Sequence, residues 1–384
     1  MGKKKLIVIW PYRFRDFDWQ RFELDFLAPH VEIQVHELID ALTPEFGAAY
    51  ANQSENPAVQ RFASLKEWRK EFKKISKGAI IFSHVAPESL KVLTICWTIR
   101  RVCRNVVGIS TGGVASSSVK WGPNKRELSP LIKKFLHVVR RNLLWSFLPN
   151  FVFTGGSEYL SRMKRESPRY TRFILGNSSD FSHSIRISLG SPPNSDKLVY
   201  LDTGFPGFPR DELLVGLSEE VDPKDWYPKL DKFFGFVERE LKNEVEIAIH
   251  PKHFGRDHQP MFGGRSSVGG ETPELVKNAS LVIATNSTSI SYAIAFAKPL
   301  ILVTSNQIQN GRDQYKASLI ANIATETGAR IFNIDREYTE QDLREAMVID
   351  HAKYESYKRK YLTSRTDGKP NYQVLLDEVI FAED

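Results

Sequence analysis

The stretch that decides the fold runs from Val245 to Thr304 and reads VEIAIHPKHFGRDHQPMFGGRSSVGGETPELVKNASLVIATNSTSISYAIAFAKPLILVT. It contains three short apolar runs, at Val245–Ile249, Leu281–Ala284 and Pro299–Thr304. Helical spacing of apolar residues lies between them, over Thr272–Lys277 and Ser289–Ala297. Short apolar strands that alternate with helices indicate a parallel sheet.

Polar side chains follow two of these strands at their carboxyl ends. His250, Pro251 and Lys252 come directly after the first strand, and a run of hydroxyl residues follows the second. Parallel sheets bind ligands just beyond the carboxyl ends of their strands. An imidazole, a cation and hydroxyls at a helix N-terminus are suited to holding a phosphate group. The hydroxyls of this predicted phosphate site belong to Ser287, Thr288 and Ser289.

Two carboxylates also follow predicted strands. Asp202 comes directly after Leu198–Leu201 and opens a loop that reads DTGFPGFP, and Glu158 follows a Gly-Gly turn after Phe151–Thr154. A carboxylate in such a position can act as a general acid, a general base or a nucleophile. Either can also be structural, because Asp often caps its own loop and Glu is favoured in the first turn of a helix.

The order of these motifs resembles the bacterial GT-B glycosyltransferases that use CMP-sugars, namely sialyltransferases, polysialyltransferases and Kdo transferases of capsule, O-antigen and lipopolysaccharide assembly. The resemblance covers the second half of the chain, in the segments Ile247–Pro251, Phe262–Arg265, Thr272–Val276, Ser287–Ile290 and Lys298-Pro299. One departure lies in the Asp202 loop, where the family has His before Pro and this chain has Phe208.

The resemblance implies an α/β, GT-B-like fold of two Rossmann-like domains with a crevice between them. It implies transfer of a sugar, Kdo or another 2-keto acid sugar, from a CMP-activated donor to a growing surface polysaccharide or lipopolysaccharide glycan. The donor is a substrate, and neither a cofactor nor a metal is expected. The catalytic residues would be Asp202, Glu158 and His250. The nucleotide would contact Pro251, Lys252, Gly263, Gly264, Arg265, Thr272, Ser287, Thr288 and Ser289.

The Gly-rich turns can also be interpreted from physical principles, independently of the resemblance. Glycine lets a ligand or the main chain approach closely, so Gly263 and Gly264 could admit the base and ribose. The guanidinium fork of Arg265 could instead hold the carboxylate of an acidic sugar.

The chain length of 384 residues suggests two domains. The Pro- and Ser-rich stretch 191–196 is the predicted linker. Residues 1–190 would form an acceptor-binding Rossmann-like domain that opens with strand Lys5–Trp10 and helix Trp19–Leu27, and His84 follows another of its strands. Residues 197–384 would bind the nucleotide-sugar, with the last helix packing back on the first domain.

The composition limits the classes of partner that the protein is expected to bind. A net charge of +7 and a pI of about 9.1 favour anionic partners. The sequence lacks a nucleic-acid motif, so we expect an acidic glycan or glycolipid acceptor and an anionic inner-membrane surface, and no nucleic acid. The basic amphipathic stretch Ser129–Leu148 suits a membrane interface or a core helix equally. Two cysteines and no signal-peptide pattern predict a cytoplasmic protein, and the basic stretch leaves open a peripheral position on the inner membrane.

Two other functions share these features. A UDP-sugar transferase or a UDP-GlcNAc 2-epimerase-like enzyme has the same two-domain architecture, and the epimerase would act without an acceptor. A non-catalytic glycan-assembly module would bind no nucleotide.

Overall fold

The computed structural model describes residues 3–44, 54–75, 78–85, 89–103, 105–110, 113–115, 149–188, 197–206, 221–253, 259–311 and 314–382. The chain divides into two compact units. Unit 1 comprises Met1–Gly112, Leu128–His183 and Thr363–Asp384, and unit 2 comprises Gly113–Glu127 and Ser184–Leu362. The predicted linker 191–196, helix Ser129–Leu148 and Phe208 lie outside the described residues.

Unit 1 is built on a parallel sheet that has seven strands within the described residues. The strands are β1 (Lys4–Trp10), β2 (Val31–Glu37), β3 (Val59–Arg61), β4 (Ile80–Ser83), β5 (Asn105–Ser110), β6 (Phe151–Gly155) and β7 (Arg172–Gly176). Their order is β3-β2-β1-β4-β5-β6-β7, so the chain reverses its direction of travel between β1 and β4. That reversal defines a Rossmann-like unit and places a potential ligand crevice at the ends of those two strands.

Helices cover both faces of this sheet. They are α1 (Asp16–Arg21), α2 (Leu24–Leu27), α3 (Ile39–Leu42), α4 (Leu65–Phe72), α5 (Leu90–Val102), α6 (Ser157–Glu166) and α7 (Ser179–Ser188). Alternate residues of β1 enter opposite cores, with Leu6 and Val8 on one face and Ile7 and Ile9 on the other. Burial on both faces explains why the strand reads as a continuous apolar run.

The predicted helix Trp19–Leu27 is two short helices in the structure. Glu23 separates α1 from α2 and has a φ of 57°, in the left-handed region. An L-residue rarely adopts that conformation without surrounding contacts that compensate. Glu23 has them, since its buried carboxylate accepts hydrogen bonds from the hydroxyl of Ser182 and from the N–H of Tyr372 at 2.7 Å.

Unit 2 repeats the architecture with a parallel sheet of six strands within the described residues. The strands are β8 (Leu198–Leu201), β9 (Val245–Ile249), β10 (Ser267–Gly269), β11 (Leu281–Ala284), β12 (Leu300–Thr304) and β13 (Arg330–Asn333). Their order is β10-β9-β8-β11-β12-β13. The chain therefore reverses its direction between β8 and β11, which again marks the expected ligand edge.

The helices of unit 2 begin with the longest one described. They are α8 (Pro223–Leu241), α9 (Thr272–Asn278), α10 (Ile290–Ala295), α11 (Asn306–Gln309), α12 (Tyr315–Thr327), α13 (Glu340–Ala346) and α14 (His351–Tyr357). Helix α8 starts where the Asp222 side chain accepts the N–H of Lys224 and Pro223 takes the first helical position. Its apolar face packs on the sheet, with the rings of Phe234 and Tyr200 5.0 Å apart.

The C-terminal segment of the chain belongs to unit 1. It contains α15 (Asn371–Leu375), whose first residue exchanges hydrogen bonds with the main chain of Asn177 at 2.9 and 3.0 Å. Val374 and Ile380 enter the core beside β1. None of the described helices is both long enough and apolar enough to cross a membrane.

Candidate functional site

The carboxyl ends of β8 and β9 meet at a buried carboxylate. Asp202 lies directly after β8 and is 4% exposed. Its Oδ1 accepts the N–H of Gly204 and its Oδ2 accepts the N–H of His250, each at 2.9 Å. Burial by itself would raise the pKa of Asp202, but His253 and the two N–H donors outweigh it and hold that pKa below its usual range. Asp202 is therefore an anion that ties the loop after β8 to the turn after β9.

That turn brings a second histidine to the site. His253 ends the 3₁₀ turn Pro251–His253, and its N–H donates to the carbonyl of His250 at 2.8 Å. Its Nδ1 lies 3.0 Å from Oδ2 of Asp202. The side chain is 1% exposed, and its Nε2 has no hydrogen-bond partner among the described residues. His250 is half-buried, and the side chain of Lys252 lies outside the described part of the chain.

Two threonines add buried hydroxyls at the same edge. Thr203 follows Asp202, and Thr285 follows β11 directly. Because Leu201 pairs with Ala284, the residues after both strands come to the same level of the sheet. The Oγ1 atoms of both threonines are buried and have no hydrogen-bond partner among the described residues. An unsatisfied buried polar atom costs about 1–3 kcal/mol, so atoms of this kind are normally satisfied by a ligand or an ordered water.

The predicted hydroxyl cluster lies between β11 and α10, next to Thr285. Oγ of Ser287 accepts the N–H of Ser289 at 3.2 Å, and the carbonyl of Thr288 accepts the hydroxyl of Ser291 at 2.7 Å. Thr288 is exposed. Helix α10 has 6 residues, so few aligned peptide dipoles add to the field at its start. The hydroxyl groups, more than the helix, give this segment its capacity to bind an anion.

Arg265 is held by carboxylates of α8. Its Nε and Nη2 each lie 2.7 Å from the carboxylate of Glu238, and its Nη1 pairs with Asp231. The two preceding glycines, Gly263 and Gly264, have φ values of 63° and 77°. A Cβ on Gly263 would overlap the Asp231 carboxylate, so this glycine lets the turn bring Arg265 onto α8.

The contacts of Arg265 thus account for the Gly-Gly-Arg segment without a ligand. The sequence alone led us to expect that Arg265 and the glycines would contact a nucleotide or a sugar carboxylate. In the structure the guanidinium is already paired with two carboxylates, so the Gly-Gly-Arg segment is not part of the proposed site. Thr272 is the half-buried first residue of α9.

Glu158 lies in unit 1, on the first turn of α6. The turn before it places Gly156 at φ 82°, and the Glu158 side chain is exposed. A carboxylate in the first turn complements the positive end of a helix dipole. Asp202 and His250 belong to unit 2, so the three residues with an expected catalytic role divide between the units.

A small pocket in unit 1 lies where β1 and β4 are neighbours. His84 follows β4, with its ring centroid 4.8 Å from that of Trp10 and 4.6 Å from that of Phe22. Burial, together with the charge of Arg21, lowers the pKa of His84 to about 3, so the imidazole is neutral at physiological pH. The pocket is mostly apolar, and its other polar lining residues are Arg21, Glu23, Ser179 and Asn371.

Comparison with known proteins identifies the fold. No protein-family model matches the chain, and no curated protein matches it in sequence. Among solved structures, the wall teichoic acid polymerase TagF has a TM-score of 0.54 at 11% identity, over 97% of this chain and 88% of that one. UDP-GlcNAc 2-epimerase from Methanocaldococcus jannaschii has a TM-score of 0.51 at 12% identity, over 97% and 98%. A putative UDP-N-acetylglucosamine 2-epimerase from Listeria monocytogenes has 0.51 at 9%, over 98% and 95%.

At these identities the likeness shows the fold alone. The chain has an α/β, GT-B-like fold of two Rossmann-like units, as the sequence predicted, and this fold is similar to that of TagF and of UDP-GlcNAc 2-epimerase. The donor nucleotide stays a prediction.

Sequence reasoning missed two residues of this edge, namely Thr203 and His253. Thr285 belongs to the hydroxyl run Thr285–Ser289 that was expected at the end of the second strand. Position could also have pointed to Thr203, because it lies one residue beyond the strand end that precedes Asp202. His253 is harder to find, since only the 3₁₀ turn after β9 brings it back to Asp202.

Proposed function

We propose that the chain is a glycosyltransferase whose unit 2 binds a nucleotide-activated sugar. The observation that carries this proposal is the set of buried, unpartnered polar atoms at the carboxyl ends of three adjacent strands, β9, β8 and β11. They belong to His253, Thr203 and Thr285. Hydroxyls and a protonated imidazole are hydrogen-bond donors that suit a phosphate group, whose oxygens only accept.

The donor that we propose is a CMP-activated sugar, Kdo or another 2-keto acid sugar. One support is the sequence motifs around His250-Pro251 and Ser287–Ile290, which follow one another as they do in the enzymes that use CMP-sugars. The other is the small size of the polar site at the ends of β8, β9 and β11, which suits a single phosphate. TagF, which shares the fold, has a solved structure with CDPG. The catalytic groups of unit 2 would be Asp202 and His250, with Ser287, Thr288 and Ser289 beside the phosphate.

We further propose that unit 1 binds the acceptor, a surface polysaccharide or lipopolysaccharide glycan, in the pocket beside His84. Aromatic rings on two sides of a neutral imidazole suit a sugar ring, because the apolar faces of a sugar stack on aromatic rings and its hydroxyls need neutral donors and acceptors. Glu158 would be the carboxylate of unit 1 to test in the transfer step.

Replacing Thr285 by Val tests the nucleotide site. Removing one hydroxyl that bonds a phosphate should weaken nucleotide binding by about five- to thirtyfold, which corresponds to about 1–2 kcal/mol. The stability of the free protein should not fall, because the variant removes a buried hydroxyl without a partner. Calorimetric titration with CMP, CDP, UDP and GDP measures the affinities, and urea unfolding measures the stability.

The matched control for that experiment is Thr171→Val in unit 1. Its hydroxyl is also buried without a partner among the described residues, but it lies at the amino end of β7. The control should leave every nucleotide affinity unchanged. If UDP binds best and the protein turns over its substrate without an acceptor, the protein is an epimerase-like enzyme and our proposal is wrong. If no nucleotide binds, the protein is instead a non-catalytic glycan-assembly module.

Replacing His84 by Leu tests the acceptor site. The leucine keeps bulk between Trp10 and Phe22 but removes both ring nitrogens. We expect the KM for the glycan acceptor to rise about five- to tenfold, the loss of one neutral hydrogen bond, while the affinity for the donor nucleotide stays constant. Initial rates of nucleotide release at saturating donor give this KM. His30→Leu, an exposed histidine of the same unit, is the control, and equal KM values in both variants would refute the assignment.

A further inference from the structure

We propose that His253 is the residue of unit 2 that hydrogen-bonds the donor's phosphate, and that Asp202 is a positioning residue that acts through it. This inference rests on the proposed function and deepens it, because it assigns a phosphate contact to a residue outside the motif segments. It also changes the role expected of Asp202, from a group that acts on the acceptor to a group that orients an imidazole.

The environment of Asp202 argues against its acting as the general base that removes a proton from the acceptor. The carboxylate is 4% exposed, and both of its oxygens are already in use, Oδ1 with the N–H of Gly204 and Oδ2 with the N–H of His250. Oδ2 also faces Nδ1 of His253 at 3.0 Å. A general base must come within hydrogen-bond reach of the proton that it removes. A buried carboxylate with this many donors is instead suited to fixing the groups around it.

The two nitrogens of the His253 imidazole have different surroundings. Nδ1 lies 3.0 Å from Oδ2 of Asp202, an oxygen that only accepts hydrogen bonds, so this contact favours the tautomer with a proton on Nδ1. Nε2 is then the second functional nitrogen of the ring, and it has no partner among the described residues. The 3₁₀ turn Pro251–His253 sets the position of the backbone. The site thus holds a pre-oriented imidazole with one nitrogen left for a ligand.

A phosphate is the ligand chemistry that fits this arrangement. Phosphate oxygens only accept hydrogen bonds, so Nε2 must carry a proton to bind one. An imidazolium at this position would have an anion on each side, the Asp202 carboxylate and the bound phosphate, and would attract both. The hydroxyls of Thr203 and Thr285 lie at the ends of the adjacent strands and would complete the set of donors.

Nitrogen NMR of the wild-type protein tests the inference directly. With ¹⁵N-labelled imidazoles, addition of CMP should move the Nε2 resonance of His253 to the position of a protonated nitrogen, and cytidine, which lacks the phosphate, should leave it in place. His36 is an internal control, since it is also 1% exposed but its Nδ1 accepts the indole N–H of Trp68 in unit 1. Its resonances should not respond.

Affinity supplies the second readout. His253→Gln should weaken CMP binding about ten- to a hundredfold, the loss of a charged hydrogen bond, and should leave the weak binding of cytidine unchanged. His36→Gln should alter neither affinity. The loss of CMP affinity together with the Nε2 shift is the expected result.

The outcomes separate this inference from the proposed function. If CMP binds and the Nε2 resonance does not move, or if cytidine moves it equally, His253 is not the phosphate contact and the inference fails while the proposed function stands. If none of CMP, CDP, UDP and GDP binds the wild-type protein, the proposed function fails first. The spectra of the wild-type protein decide the question even if His253→Gln does not fold.

Discussion

Replacing Asp202 by Asn is expected to lower the free energy of unfolding by about 3 kcal/mol and to weaken nucleotide binding at least tenfold. The loss of stability follows because one buried anion accepts two main-chain N–H groups and faces His253, and breaking a buried charged pair costs about 3–5 kcal/mol. The loss of affinity follows because His253 would no longer be held in one orientation.

Asp335→Asn is the matched control for this variant. Asp335 also follows a strand of unit 2, accepts the N–H of Asn306 at 2.7 Å and pairs with Lys229. Its loss should cost stability, but it lies beyond β13, away from the β8–β9 edge, and nucleotide affinity should not change. Urea unfolding and calorimetric titration measure both quantities. Equal nucleotide affinities in wild type and Asp202→Asn would show that Asp202 has no part in the site.

The pH dependence of the same comparison has a definite sign. The pKa of Asp202 is lower in the folded protein than its usual value, so its contribution to stability is fully present above the unfolded pKa of about 4 and is lost as the pH falls through the folded pKa. The difference in unfolding free energy between wild type and Asp202→Asn should therefore be constant at neutral pH and shrink below about pH 4.

The central strands of the unit 2 sheet could be predicted from the sequence because they are buried on both faces. Leu281–Ala284 is a continuous apolar run, Val245–Ile249 is apolar except for Glu246, and the structure has strands with the same bounds. Parallel strands that are buried on both faces typically read as such near-continuous apolar runs. Strand β10 (Ser267–Gly269) carries no such signal, since it lies at the edge of the sheet and is short and half-exposed.

The residues of the candidate site were predicted less completely, because side-chain partners depend on the tertiary fold. Arg265 looked like a ligand contact until α8 supplied Glu238 and Asp231, which lie far from it in sequence. His253 is the reverse case. It belongs to no recognisable motif, and only its contact with Asp202 in the folded chain makes it a candidate site residue. Glycine patterns had the same ambiguity, since Gly263 serves the packing of a side chain as readily as it would serve a ligand.

Shortening the chain so that it ends at Leu362 is expected to unfold unit 1. The missing segment supplies four buried residues to the core beside β1, namely Val374, Leu375, Leu376 and Ile380. Burial of an apolar side chain contributes about 1.5–3 kcal/mol, so the loss is roughly 6–12 kcal/mol, comparable to the whole stability of a typical domain. The shortened chain also loses Asn371 and Tyr372, whose N–H groups bond Ser182 and the buried Glu23.

Hydrogen exchange followed by mass spectrometry locates the effect, because unit 2 retains its strands in the shortened chain. Amides of β1 and β4 should exchange rapidly while those of β8 and β11 stay protected. Two adjacent residues give a matched pair in the full-length chain: Ile380 is 1% exposed and Phe381 is 57% exposed. Ile380→Ala should cost about 2–4 kcal/mol, and Phe381→Ala less than about 1 kcal/mol. Protection of β1 and β4 that survives the truncation would mean that unit 1 folds without its C-terminal segment, and the buried contacts of α15 would then be a late addition to an already stable core.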